Sequence, residues 1–560
     1  MTSVEWRQPV EVEGLLRTFA HGGVIETADV QVAQRLTALR EEADDRVALA
    51  VALVVRALRG GSVCVDLRSV EEEVAIADLV AAVQASPLLG DPPILRLKGD
   101  LLYLDRYWLE EQQVCDDVLA MMAANPAGEV PDTTRLFPAG YEEQRTAAEV
   151  ALSQGLTVLT GGPGTGKTTT VARLLALLVE QAKGRDTRLR IALAAPTGKA
   201  AARLQEAVQL EVAKLDPSDQ EALIGLHATT LHRLLGSRPD TSARFRHHRG
   251  NRLPHDVIAV DETSMVSLTM MARLLEAVRP ETRLVLVGDP DQLASVEAGA
   301  VLADLVDGLG EEKIAALKTS HRFGESIGEL ATAIRVGDAD RTIEVLRAGG
   351  EHIEWMETAD PRDKLRKVLV RHAVALRTAA ILGDEEAALQ TIDGHRLLCA
   401  HRRGPYGVQH WNRQVERWLT EETGEPIWSS WYAGRPVLVT ANDYGLGLYN
   451  GDTGVTVVRD EALRAVIGGS GETLRFATSR LADVETMHAM TIHKSQGSQA
   501  DEVTVLLPQE DSRLLTRELF YTAVTRAKER VRVVGSEEAL RAAIERRAVR
   551  ASGLAQRLRG

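Results

Sequence analysis

The chain has 560 residues, of which 44% are hydrophobic, 26% charged and 4% aromatic, and 66 Lys and Arg against 80 Asp and Glu leave a formal net charge of −14. These fractions exclude collagen-like and wholly disordered chains, and such a length predicts about three to five domains. The longest apolar run, Val47–Val55, has nine residues where a membrane span needs about 20, so no membrane association is expected. The opening MTSVEWRQPVEVEG carries acids and no apolar core, unlike a secretory signal. Cys64, Cys115 and Cys399 lie far apart without metal-type spacing, which reads as unpaired thiols in a reducing cytoplasm. The acidic balance counts against a protein whose whole surface grips nucleic acid. A motor that holds a strand in one cleft can be acidic elsewhere.

Residues 1 to about 115 read as a mainly helical unit, with helical apolar spacing through Val47–Leu58 and Val74–Val83. Between these stretches, after the Gly60–Gly61 break, Ser62–Leu67 is a short strand-like run. Asp100–Leu109 holds Tyr103, Tyr107 and Trp108, which serve either a small core or a docking surface. From about residue 140 strands alternate with Gly-rich turns and helices: Leu156–Thr160, the helical Val171–Glu180, Arg190–Ala195, Val257–Val260 and Arg283–Val287. A second series follows at His395–Ala400, Glu502–Leu507 and Arg530–Val534. Continuously apolar strands between helices imply an α/β fold with parallel sheets covered on both faces. Within the second series, about 430–485 is Gly-rich, with turn pairs such as Asn450–Gly451, and predicts a small inserted β-barrel.

The chemistry begins at GGPGTGKT, a phosphate-binding loop set between a strand and a helix. Gly161, Gly162, Pro163, Gly164, Thr165 and Gly166 let the backbone curl around phosphate oxygens, with Thr169 continuing into the helix. Lys167 then reaches the β/γ-phosphates and the Thr168 hydroxyl is placed for Mg²⁺. The strand VIAVDETSM ends in two acids, Asp261 to hold Mg²⁺ and Glu262 to polarise the attacking water. In RLVLVGDPDQ, Gln292 is placed to sense the γ-phosphate, steadied by Asp289. Arg322 in KTSHRFG and Arg526 in YTAVTRA are candidates to neutralise transition-state charge. ATP and Mg²⁺ are therefore the expected cofactors.

Taken in order, EEQRTAA, the phosphate loop, APTGKAAARL, ATTLHRLLG, DETSM, GDPDQLASVEAG, TSHRF, MTIHKSQGS and YTAVTRA resemble the ordered motifs of superfamily 1 DNA helicases, from about 140 to 535. SVCVDL, LYLDRYW, GRPVLVTANDYGLGLYNGDTG and TIHKSQGS resemble more narrowly the RecD-type helicases of bacterial RecBCD exonuclease V complexes. The resemblance implies two RecA-like P-loop motor domains, a helical N-terminal domain and a small inserted β-barrel. The implied division is a docking domain at 1–115, a first motor domain at 116–320, a second at 321–429 and 486–560, and the insert at 430–485.

The resemblance also implies an adenine-reading role for Gln144. It places strand contacts at Thr197 and Lys199, at Thr229, Thr230 and His232, and at Thr491, His493 and Lys494. Hydroxyls, Lys and His at strand ends suit sequence-independent phosphate contact. Arg244, Arg246, Arg249 and Arg252 lie where these helicases insert a small hairpin, in a stretch around 240–256 that reads as phosphate-contacting or strand-separating. Where relatives show Gly-Ser-Glu-Phe, this chain has Gly497-Ser498-Gln499-Ala500, so Gln499 stands at the position expected to touch the ribose.

The implied activity is ATP-dependent 5′→3′ movement on single-stranded DNA and at duplex ends, in double-strand break repair and recombination. The implied assembly is a heterotrimer with RecB-like and RecC-like subunits, which would supply any exonuclease activity. Stand-alone RecD-like helicases, which carry a much longer N-terminal extension, are the alternative.

Overall fold

Strands with no polar face need cover on both sides, and two such sheets organise the protein. The computed structural model describes residues 12–124, 131–183, 187–238, 241–319, 325–358, 360–443, 445–468 and 473–560. The first sheet contains β1 (Leu156–Gly161), β2 (Ile191–Ala195), β3 (Ala228–Thr230), β4 (Val257–Val260), β5 (Arg283–Gly288) and β6 (Ile314–Leu317). Their order is β6-β1-β5-β4-β2-β3, and every pairing is parallel. Successive side chains enter opposite cores, Val257 and Ala259 one and Ile258 and Val260 the other. Helices Lys167–Lys183 and Gly198–Val212 cover the first face, and Leu268–Ala277 and Val301–Gly308 the second.

The second sheet comprises β7 (Ile353–Met356), β8 (His395–Cys399), β9 (Ala489–Thr491), β10 (Ala500–Leu506) and β11 (Ala527–Val534). It is again wholly parallel, in the order β7-β11-β10-β8-β9. Five antiparallel strands between residues 436 and 486 form the insert. Their order places Thr473–Ala477 at one edge and Val484–Thr486 at the other, which is an open sheet among the described residues.

The N-terminal region has its own core around helix Asp45–Arg59, which contains the expected Val47–Leu58. The single helical stretch expected over Val74–Val83 is instead two helices, Leu67–Val74 and Leu79–Gln84. Ala75 and Asp78 between them adopt left-handed φ values of 52° and 60°. Both helices contribute to one core, through Val70 and Val74 and through Leu79 and Val83. The expected strand Ser62–Leu67 shrinks to Val65–Asp66, because the Asp66 carboxylate caps the following helix by accepting from the Arg68 and Ser69 N–H groups. Tyr103 is fully buried, and Tyr107 and Trp108 pack against the same core as β1. Helix Asp105–Ala123 runs through residue 115 and packs on the first sheet. All three cysteines are free and buried. No helix among the described residues is long and apolar enough to cross a membrane.

The C-terminal tail returns to the N-terminal region, where Val63 N–H donates to Ala551 O at 2.8 Å. Arg557, on the helix Leu554–Arg559, meets Glu111 at 2.7 Å with both side chains buried. Glu111 also accepts from Gly553 N–H at 3.1 Å and Tyr103 OH at 3.2 Å. Removing one partner of a buried ion pair strands the other charge. Arg557→Ala is therefore expected to destabilise the fold by about 3–5 kcal/mol. Chemical denaturation reads this directly, and an unmoved midpoint would show that the tail carries no such tension.

Candidate ATP site and single-strand contacts

The phosphate loop leaves the buried strand β1 and runs into helix Lys167–Lys183. Gly164 and Gly166 hold φ values of 82° and 88°, and a Cβ on Gly161 would stand 2.4 Å from Thr165 Oγ1, so the curl requires glycine. Lys167 Nζ donates to Gly161 O at 2.6 Å and Gly162 O at 2.9 Å, which holds the ammonium over the loop. Gln144 is buried and its Nε2 donates to Thr165 O at 3.1 Å. Together with Pro163, Gly164, Thr168 and Thr169 these groups line a cleft of about 760 Å³.

Asp261, just past β4, and Glu262 face the same cleft. Burial and the neighbouring Glu262 push the Asp261 carboxyl up to about 6, while Lys167 opposes the shift. Two adjacent carboxyl groups beside a loop hydroxyl suit a hard divalent cation, so the donor set fits Mg²⁺. Glu262 has a left-handed φ of 51°, an uncommon conformation for a residue with a side chain.

The second lobe closes the cleft through a short chain of hydrogen bonds. Gln292 Nε2 donates to Asp289 Oδ2 at 3.0 Å, and Tyr521 OH donates to the same oxygen at 3.1 Å. Arg526 donates to Gln292 Oε1 at 3.0 Å. Burial lowers the pKa of the Arg526 guanidinium, and Glu262 opposes that effect. Leu293 N–H donates to Thr522 Oγ1 at 2.8 Å. Arg322 lies outside the described residues.

The expected strand contacts fall at carboxyl ends of strands in both lobes. Thr197 caps helix Gly198–Val212, Thr230 caps Leu231–Leu235, and Thr491 caps Ile492–Ser495, each accepting a backbone N–H from the first turn. Thr230-Leu231-His232-Arg233 and Thr491-Ile492-His493-Lys494 follow the edge strands β3 and β9, so the two lobes repeat one pattern. The Thr229 hydroxyl is buried without a hydrogen-bond partner among the described residues. Lys199 Nζ donates to Thr453 Oγ1 of the insert at 3.4 Å, and burial beside Arg396 pulls its pKa down to about 7. Lys494 pairs with Glu485 at 3.1 Å. Burial lowers the pKa of both His232 and His493.

The arginine-rich stretch includes a hairpin of Ser237–Arg238 and Thr241–Phe245, and Phe245 sits edge-on to His232. Its four arginines divide. Arg249 pairs with Asp117 at 2.7 Å and Arg252 donates to Val278 O, so both brace the first lobe. Arg244 and Arg246 are exposed and form no ion pair among the described residues. Three further residues, not marked by motif spacing, stand at the cleft. Arg203 lines the cleft one helical turn after Lys199. Tyr521 lies five residues before Arg526 and holds Asp289. Tyr141 lines the cleft beneath Arg173, whose guanidinium stands 4.0 Å from its ring centre. The i,i+4 spacing from Lys199 marked Arg203 alone.

A phosphate loop, paired acids and a trans-cleft arginine between two parallel sheets define a two-lobed nucleotide-hydrolysing motor. A model described as an AAA domain matches residues 144–298, and one for the UvrD-like helicase C-terminal domain matches 486–534. One for the N-terminal domain of the RecBCD enzyme subunit RecD matches residues 21–103. The RecBCD enzyme subunit RecD of Mycolicibacterium smegmatis is 75% identical, covering 97% of this chain and 99% of its own. That of Mycobacterium tuberculosis is 66% identical, covering 98% and 97%. The ATP-dependent RecD2 DNA helicase of Deinococcus radiodurans is 30% identical over 82% of this chain and only 58% of its own length. The chain belongs to the RecD family.

Two measurements test the strand contacts. Lys199 is charged below about pH 7 and neutral above it, so single-stranded DNA affinity should fall as pH rises through that value. Lys199→Arg should flatten the dependence, and a wild-type profile as flat as the variant's would remove Lys199 from the contact. In salt titrations, Arg244→Ser with Arg246→Ser should reduce the slope of log affinity by about 2, roughly one per lost phosphate contact. Arg249→Ser with Arg252→Ser should leave that slope in place.

Proposed function

We propose that this chain is an ATP-driven helicase motor on single-stranded DNA, working as the RecD-type subunit beside RecB-like and RecC-like chains in double-strand break repair. The observation that carries this reading is the Arg526–Gln292 hydrogen bond, which joins the two lobes at the ATP cleft. ATP in the cleft, with its adenine on Gln144 and its phosphates on the loop and Lys167, meets groups from both sheets and so favours the closed state. Thr168 and Asp261 are assigned to hold Mg²⁺, which would neutralise phosphate charge there. Glu262 orients the attacking water, Gln292 senses the γ-phosphate, and Arg526 stabilises the charge that develops, with Arg322 assigned the same task.

Loss of the γ-phosphate removes contacts from one side of the cleft, and the lobes part. The strand-end groups Thr197, Lys199, Thr229, Thr230 and His232 move with one lobe. Thr491, His493 and Lys494 move with the other, which converts opening into a step along the strand. Travel is assigned 5′→3′ on the family pattern, and the hairpin bearing Arg244 and Arg246 meets phosphates ahead of the motor. Residues 1–115 are assigned to the docking unit, 116–320 and 321–429 with 486–560 to the motor lobes, and 430–485 to the inserted β unit. Cytoplasmic residence follows from the DNA substrate.

The near-complete mutual coverage with RecD subunits supports a place in a complex over a stand-alone helicase. Lys167→Gln is expected to abolish DNA-stimulated ATP hydrolysis while leaving the thermal unfolding midpoint in place. Retained stimulated hydrolysis in that variant would refute the site.

A further inference from the structure

Arg203 crosses the ATP cleft from the first lobe to the second. It lies on helix Gly198–Val212, and its guanidinium donates to Gly497 O at 2.9 Å and to Gln499 Oε1 at 3.0 Å. Both acceptors belong to the segment between β9 and β10, and all three residues line the cleft with Lys167, Asp261 and Arg526. The approach is close, since a Cβ on Gly497 would stand 3.3 Å from Ala200 Cβ. Arg203 is also one helical turn from Lys199, on the same face. Its charge acts on both sites, favouring the ionised Asp261 and disfavouring the cationic forms of Lys199 and Arg526.

Arg203 makes no ion pair among the described residues, and both of its cross-lobe acceptors are neutral. A guanidinium bonded to an amide oxygen holds less firmly than one bonded to a carboxylate. We propose that Arg203 is a positioning residue, a releasable latch that holds the lobes closed over ATP, and that the neutral side chain of Gln499 sets how readily it opens. Closing through Arg203 brings Arg526 to bear on the cleft, and opening frees the spent nucleotide. The latch rests on the two-lobed motor reading above.

The test uses the full chain, with steady-state DNA-stimulated ATPase and release of a fluorescent ADP analogue. Arg203→Gln should lower kcat about tenfold with a much smaller change in KM for ATP, since closure and not capture is impaired. Arg203→Lys should recover part of kcat through the Gly497 carbonyl. Gln499→Glu turns the contact into an ion pair and should slow ADP release several-fold, an effect that vanishes when combined with Arg203→Gln. The latch is overturned if Arg203→Gln keeps the wild-type kcat, or if Gln499→Glu slows release equally without Arg203. Should Arg203→Gln fail to fold, Gln499→Glu alone decides, because unchanged ADP release overturns the latch. Wild-type hydrolysis indifferent to single-stranded DNA would overturn the motor reading beneath it.

Discussion

The buried Arg526 guanidinium and the Gln292 amide meet at the point on which the motor turns. A buried cation needs compensating partners, and a neutral amide supplies one without locking the lobes as a carboxylate would. Gln292 is itself oriented by Asp289, which Tyr521 of the second lobe also grips. One carboxylate thus couples two residues just past β5 to the helix that precedes β11. In the proposed motor, a small displacement at the phosphates would be felt at the ends of two rigid sheets, because packed cores rearrange as units and do not deform smoothly.

The same logic places the groups proposed to contact the strand. In parallel sheets the carboxyl ends of the strands lie on one side, where loops enter helices and backbone N–H groups are free. The edge strands β3 and β9 each end in a threonine that caps a short helix carrying a histidine. Both lobes therefore present similar polar surfaces, fastened to different sheets. On the proposed mechanism, relative motion of the sheets would move one set past the other while each keeps its local hydrogen bonds.

The net charge of −14 is an average over unlike regions. Many surface acids are matched in place, as where Arg135 meets Glu180, Asp216 and Asp219. Lys199, Arg203 and Arg526 stand instead at the cleft and strand ends without carboxylate pairing among the described residues. Phosphate groups, of nucleotide or of DNA, are the counter-charges that such positions suit.

The local chemistry was legible in the residues. Runs such as Val257–Val260 and Arg283–Val287 read directly as buried strands, and the loop, the acid pair and Gln292 follow from residue type and order, because phosphate binding needs glycine, lysine and hydroxyl at fixed spacing. What spacing could not convey was partnership between distant residues. The division of the four arginines depends on Asp117, 132 positions from Arg249. The Val74–Val83 break hides in an apolar period that two helices share. The grip of Arg203 on Gln499 spans 296 positions. Residue order alone was enough for the α/β class, the family and a candidate ATP site. Which cations meet a carboxylate, as Arg249 does at Asp117, and which have none beside them among the described residues, as with Arg203, follows from distances set only when the two sheets pack.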